Sequence, residues 1–135
     1  MIDHLNACVL VVRDFEKCLA FYRDKLGFKL EHKEEGFAYL IFSSQGGPGL
    51  ALSSVDGAVK LISESQIRPK EKTIHRNYFA VFIKDVDKEY EELKAKGVHF
   101  IKPPTTFPWG QRIAYFDDPE GNLWEISHFI KKSEH

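Results

Sequence analysis

Two stretches of this chain, about 70 residues apart, carry the same pattern: an apolar run, an Asp, an amphipathic segment and a Gly. Asp14-Phe15 through Leu26-Gly27-Phe28 is echoed by Asp85-Val86 through Lys96-Gly97-Val98, with an offset of 71 at the Asp and 70 at the Gly. The Asp side chain can accept hydrogen bonds from the free N–H groups that open a helix, and the Gly supplies a left-handed stop at its end. Register held to one residue across a whole helix predicts one duplicated domain, each half reading strand, helix, strands, with the site lying between the halves.

The periodicities fill in each half. Leu5–Val12 is a β-branched run of strand length, and Phe15, Leu19, Tyr22 and Leu26 mark one face of the first helix. Phe28–Glu34, Phe37–Ser43 and Leu50–Ser54 read as three further strands, parted by Glu35-Gly36 and by the glycine-rich turn Gln45–Gly49. Residues 55–76 are the least patterned and read as a linker. In the second copy, Tyr78–Ile83 reads as a strand and Asp85–Lys96 as a helix with Val86, Tyr90 and Leu93 on its apolar face. Val98–Lys102, Arg112–Phe116 and Leu123–His128 complete it. Pro103–Gly110 is too proline-rich for regular structure and predicts a rigid loop holding Trp109. The expected layout is module one at about 4–54, the linker at 55–76 and module two at about 77–129.

The gross numbers narrow the function. A chain of 135 residues can bury roughly two-thirds of its unfolded surface in a single core. Lys plus Arg number 19 against Asp plus Glu 20, which gives no electrostatic case for nucleic acid or an anionic membrane as partner. No apolar stretch approaches the roughly 20 residues that cross a bilayer, and Met1-Ile2-Asp3-His4 lacks a basic region followed by an apolar one, so the expected location is cytoplasmic. Cys8 and Cys18 have no Cys-x-x-Cys spacing and read as buried thiols. Gly-x-Ser-x-Gly, a P-loop and a dinucleotide fingerprint are absent from the sequence.

The motif pair Phe21-Tyr22-Arg23-Asp24-Lys25-Leu26-Gly27-Phe28 after Asp14, and Pro108-Trp109-Gly110 followed by Phe116-Asp117-Asp118-Pro119-Glu120-Gly121-Asn122-Leu123-Trp124-Glu125, resembles the vicinal oxygen chelate superfamily. That superfamily holds glyoxalase I, bleomycin-resistance proteins, fosfomycin-resistance enzymes and extradiol dioxygenases. The resemblance covers essentially residues 4–129. It implies an α+β fold of two βαβββ modules whose curled mixed sheets form a cleft, usually in a homodimer. In metal-using relatives a His or Gln lies seven positions before the first helix-opening Asp, a His seven before the second, and a Glu follows the Asp-Pro-x-Gly turn. Those positions here are Ala7, Tyr78 and Glu125, and the further Glu of glyoxalase I falls on Ala51. With three of four donors lost, no metal and no other cofactor is expected, a divalent ion being the exception to test.

Alternation puts Leu123, Glu125 and Ser127 on one strand face and Trp124, Ile126 and His128 on the other. Glu125 is then either a salt-bridged surface carboxylate or, as the resemblance implies, a group facing the cleft as proton acceptor or counter-charge to a cationic ligand. Trp109 is a stacking platform for a planar ligand or a plug on the core. Tyr78 and Tyr115 offer hydroxyls to a ligand or simply pack. Arg112 binds a ligand carboxylate or is a solvated strand-end charge. Of the histidines, His75 is the best alternative metal ligand or base, against a solvated loop residue, and His4 reaches inward only through a bulge. Function does not follow from the fold alone. The lost ligands favour a binding protein that holds a small organic molecule, as the bleomycin-resistance branch does. The alternative is a glyoxalase-like lyase or isomerase using Glu125 as base or residual metal ligand.

Overall fold

The computed structural model describes residues 1, 5–42, 46–68 and 77–130, and the chain divides into two compact units at residues 1–73 and 74–135. Unit one runs β1 (Ala7–Val12), α1 (Phe15–Ala20), a π-helical turn (Phe21–Lys25), β2 (Lys29–Glu34), β3 (Phe37–Ile41) and β4 (Gly49–Ser54). Its sheet has the order β1-β4-β3-β2, with β1 parallel to β4 and the other pairs antiparallel. Alternation along β1 fixes which face is core: Leu10 and Val12 are buried, while Val9 and Val11 point the other way and are exposed. Leu10, Val12, Ala38, Leu40, Leu50 and Leu52 share the buried side with Phe15, Cys18, Leu19 and Tyr22 of the helix.

Both repeated signals take their expected conformations. The Asp14 carboxylate accepts from Lys17 N–H at 3.2 Å, and Asp85 accepts from Lys88 N–H at 3.1 Å. Gly27 (φ 77°) and Gly97 (φ 87°) turn left-handed after the two helices. The first helix does not stay α-helical to its end. It widens to a π-turn from Phe21, and Phe28 N–H closes it on the Tyr22 carbonyl at 2.9 Å. Cys18 is fully buried, Cys8 only partly, and burial pushes the Cys8 thiol up.

The stretch expected to be an unpatterned linker holds two short helices, α2 (Val55–Leu61) and α3 (Glu64–Ile67), before the described residues stop at 68. Each begins at a Ser whose hydroxyl accepts a backbone N–H, Ser54 from Gly57 and Ser63 from Gln66. These caps were legible, but helices of one or two turns show no apolar stripe for periodicity to find.

Unit two repeats the plan with β5 (Phe79–Phe82), α4 (Val86–Ala95), β6 (Phe100–Thr106), β7 (Gln111–Asp117) and β8 (Leu123–Phe129), in the order β5-β8-β7-β6. β5 is parallel to β8, and the other pairs are antiparallel. Ala114, Phe116, Trp124 and Ile126 are buried on the side of the sheet that takes Val86 and Leu93 of α4. Pro103 and Pro104, expected in a loop, lie inside β6. β6 is an edge strand whose pairing slips between Lys102 and Thr105, so neither proline is asked for a ladder hydrogen bond. The two units are therefore two βαβββ modules of α+β architecture.

Candidate functional site

The second sheet has one face under α4 and one facing away from it. Register assigns the outer face: Ala80 is opposite Glu125, Tyr115 is opposite Glu125 on the other side, and Ile113 and Phe82 flank Ser127. Tyr115 hydroxyl donates to Glu125 Oε1 at 2.6 Å, a charge-assisted bond. Tyr78, just before β5 and 57% exposed, meets the Tyr115 ring edge to face at 6.3 Å and 75°. Tyr78, just before β5, and Tyr115, on β7, flank β8 from opposite sides, so the ring pair lies over that strand beside Glu125. Glu125 and Tyr115 are both half-buried.

This setting fixes the protonation of the phenol. Burial first, then the hydrogen bond and charge of Glu125, push Tyr115 up to about 12 from an ordinary 10.0. A phenol raised in the folded state stabilises the fold fully below its unfolded value, and that contribution is lost as pH rises from about 10 to about 12. The phenolate absorbance of Tyr115, isolated by subtracting a Tyr115→Phe titration, is expected to rise near pH 12. Glu125→Gln is expected to bring it back toward 10.0, burial keeping part of the shift. An unchanged midpoint in Glu125→Gln would show that the carboxylate does not control the phenol.

At the other end of the same face, Trp109 sits in the four-residue turn Phe107–Gly110 that links β6 to β7. Gly110 N–H bonds the Phe107 carbonyl at 2.9 Å, and Gly110 takes φ 87°. The expected rigid loop is thus a tight hairpin turn. The indole stacks on Phe107 at 4.9 Å and 17°, and its N–H donates to Gln111 Oε1 at 2.8 Å. Gln111 in turn donates to the hydroxyl of buried Ser127 at 3.0 Å. Held by these contacts, Trp109 is still 62% exposed. Phe82 and Phe129, 74% and 59% exposed, pair at 5.9 Å on this end of the face. Gln111 and Tyr115 are four residues apart on one strand, so about 13 Å separates the two ends.

Arg112 lies elsewhere. Its neighbours in parity are Ala114 and Phe116, and its guanidinium forks onto Asp87 of α4 with bonds of 2.8 and 2.7 Å, with a third bond of 2.9 Å to Thr106. The guanidinium's hydrogen bonds, then its charge, hold the Asp87 carboxyl below the usual carboxylate range. On that same face His128 Nδ1 accepts the Val86 N–H at 2.9 Å at the start of α4. Arg112 and His128 therefore join the helix to its sheet. His75 and His4 lie outside the described residues.

Comparison with known proteins now decides the family. The family model described as Glyoxalase/Bleomycin resistance protein/Dioxygenase superfamily matches residues 2–126. The chain belongs to this superfamily. It is 32% identical over 118 residues to the uncharacterized protein YraH of Bacillus subtilis, covering 87% of this chain and 91% of that one. It is 30% identical over 132 residues to a bleomycin resistance protein of Geobacillus stearothermophilus, covering 90% and 94%. A crystal structure of a glyoxalase/bleomycin resistance protein/dioxygenase from Nocardioides superposes with a TM-score of 0.80 at 28% identity, covering 99% of this chain and 88% of that one.

Within this superfamily the test of a metal centre is its donor set. Among the described residues no three His, Cys, Asp or Glu side chains come together to hold a metal ion. In unit two, the family position Glu125 has as its neighbours Tyr115, whose hydroxyl donates to it, and Tyr78. A phenol that keeps its proton toward pH 12 offers no anionic ligand at neutral pH. In unit one, Ala7 and Ala51 offer no donor atom at all. These residues do not fit a divalent catalytic metal.

Proposed function

We propose that this protein binds a small organic molecule on the outer face of its second sheet, with Trp109 as the stacking surface and Glu125, steadied by Tyr115, as the polar contact. The observation that carries the reading is the concentration of exposed aromatic rings on that one face, Trp109, Phe82 and Phe129 at one end and Tyr78 beside a half-buried carboxylate at the other. Aromatic walls with a few placed polar groups are the usual make-up of small-molecule sites. The relatives named bleomycin resistance proteins support a sequestering role, and the loss of family donors at Ala7, Tyr78 and Ala51 supports binding without turnover. The same reading has the protein act as a cytoplasmic homodimer, a second copy capping sheet edges.

The test uses the two tryptophans as reporter and reference, since Trp109 is exposed and Trp124 is buried. Planar aromatic compounds, and bleomycin separately, are screened by thermal shift and by fluorescence. A bound compound is expected to change Trp109 emission, and Trp109→Ala to weaken it by about tenfold or more while moving the melting temperature of the free protein little. Binding with equal affinity to Trp109→Ala would remove the stacking role, and no binding across the screen would remove the proposal.

A further inference from the structure

We propose that the Glu125 end of this face is a subsite for an organic cation: an ammonium group, primary or substituted, carried on an aromatic or amphipathic molecule. The subsite deepens the small-molecule reading above and depends on it. Glu125 uses Oε1 to accept one hydrogen bond from Tyr115, and a carboxylate has about four lone-pair positions to fill. Among the described residues no Lys, Arg or His pairs with it. Of the basic groups on the elements around it, His99 bonds Asp117 at 3.0 Å, Lys102, opposite Tyr115 on β6, lies over the Phe107 ring at 4.9 Å, and Arg112 pairs with Asp87 on the other face. The phenol beside it supplies a hydrogen bond but no positive charge.

The surroundings choose the sign and shape of what completes it. The Tyr78 and Tyr115 rings stand edge to face beside the carboxylate, and ring faces attract cations. Ala80, directly opposite Glu125 on β5, puts only a methyl group on that side of the strand. Asp117 belongs to the same outer face, two residues beyond Tyr115, but is bonded to His99, so the carboxylate a ligand meets without a cation beside it is Glu125. A bare metal ion would find too few hard donors, whereas an ammonium gains both the carboxylate and the rings. About 13 Å away along β7, the Trp109, Phe82 and Phe129 end can take the apolar part of the same molecule.

The experiment is an NMR-detected titration of the full chain with benzyltrimethylammonium, benzyl alcohol and benzoate, alongside the neutral planar probe naphthol followed by Trp109 fluorescence. Benzyltrimethylammonium is expected to bind about tenfold more tightly than benzyl alcohol, with benzoate weaker than either and with added salt reducing the preference. Glu125→Gln, an isosteric change, is expected to abolish the preference. Tyr78→Phe keeps the ring and is expected to keep binding, while Tyr78→Leu is expected to lose about fivefold. Equal affinity for the cation and the alcohol, or an undiminished preference in Glu125→Gln, would overturn the subsite. If naphthol binds through Trp109 under those outcomes, the small-molecule reading stands without the cation. If none of the four probes binds, both fall.

Discussion

Trp124→Ala is expected to remove about 4 kcal/mol of folding stability, the range seen when a large buried aromatic is cut back to a methyl group. The indole is 2% exposed and links rings across the module. It stacks on Phe116 at 6.1 Å with planes 2° apart, and Phe79 of the edge strand closes on it at 4.7 Å. Phe116 continues to Phe100 at 5.5 Å, and Phe100 to Tyr90 of α4 at 4.6 Å. Deleting Trp124 therefore opens a cavity where β5, β7 and β8 all pack, and rings have little freedom to collapse into it. Against an ordinary total of about 5–15 kcal/mol, the loss is large enough to shift the denaturation midpoint strongly. Trp124→Phe is expected to recover a good part of it. Trp109→Ala, by contrast, is expected to cost under about 0.5 kcal/mol, because that ring is exposed. Denaturant unfolding followed by far-ultraviolet circular dichroism measures all three. A Trp124→Ala protein within about 1 kcal/mol of the parent would mean the ring chain is not the core it is taken for.

The contrast between the two tryptophans is one of strand parity, and parity accounts for much of what the sequence told. The Asp caps and Gly stops of the repeat are local signals, so both βαβββ modules were readable before any contact was known. Alternation along β8 likewise separated Glu125 and Ser127 from Trp124 and Ile126, and the structure keeps that division. The same rule applied to β7 separates Arg112 from Tyr115, three residues on, and would have sent Arg112 to the helix side, where it meets Asp87. The pair of Tyr115 with Glu125 was not legible, because it depends on the register of the β7–β8 hairpin rather than on either strand. Gln111 was missed for the same reason. Its link from Trp109 to Ser127 spans a turn and a strand pair, and a lone Gln carries no pattern. Pro103 and Pro104 misled because edge position and irregular pairing, which make them tolerable, are properties of the sheet and not of the segment.

Register is therefore what assembles the candidate site, and Asp118 holds the turn that joins its two strands. The buried Asp118 carboxylate accepts Glu120 N–H and Asn122 N–H at 2.9 Å each and the Asn122 side-chain amide at 2.7 Å. The backbone closes the same turn, Asp118 N–H on the Asn122 carbonyl at 3.0 Å and Gly121 N–H on the Asp118 carbonyl at 3.1 Å, with Gly121 at φ 85°. Asp118→Ala leaves three donors without their acceptor in a half-buried turn and is expected to cost about 3 kcal/mol, while Asp118→Asn, which keeps one acceptor oxygen, is expected to cost about half as much. The larger consequence is geometric. A slip of one residue across this hairpin would carry Glu125 from the outer face to the helix side and part it from Tyr115. Asp118→Ala is thus expected to lower the late Tyr115 ionisation as well as the stability, in protein that remains folded at the start of the titration. Lost stability with the Tyr115 midpoint still near 12 would assign the register to the strands themselves, and unchanged stability would remove Asp118 from the frame of the site.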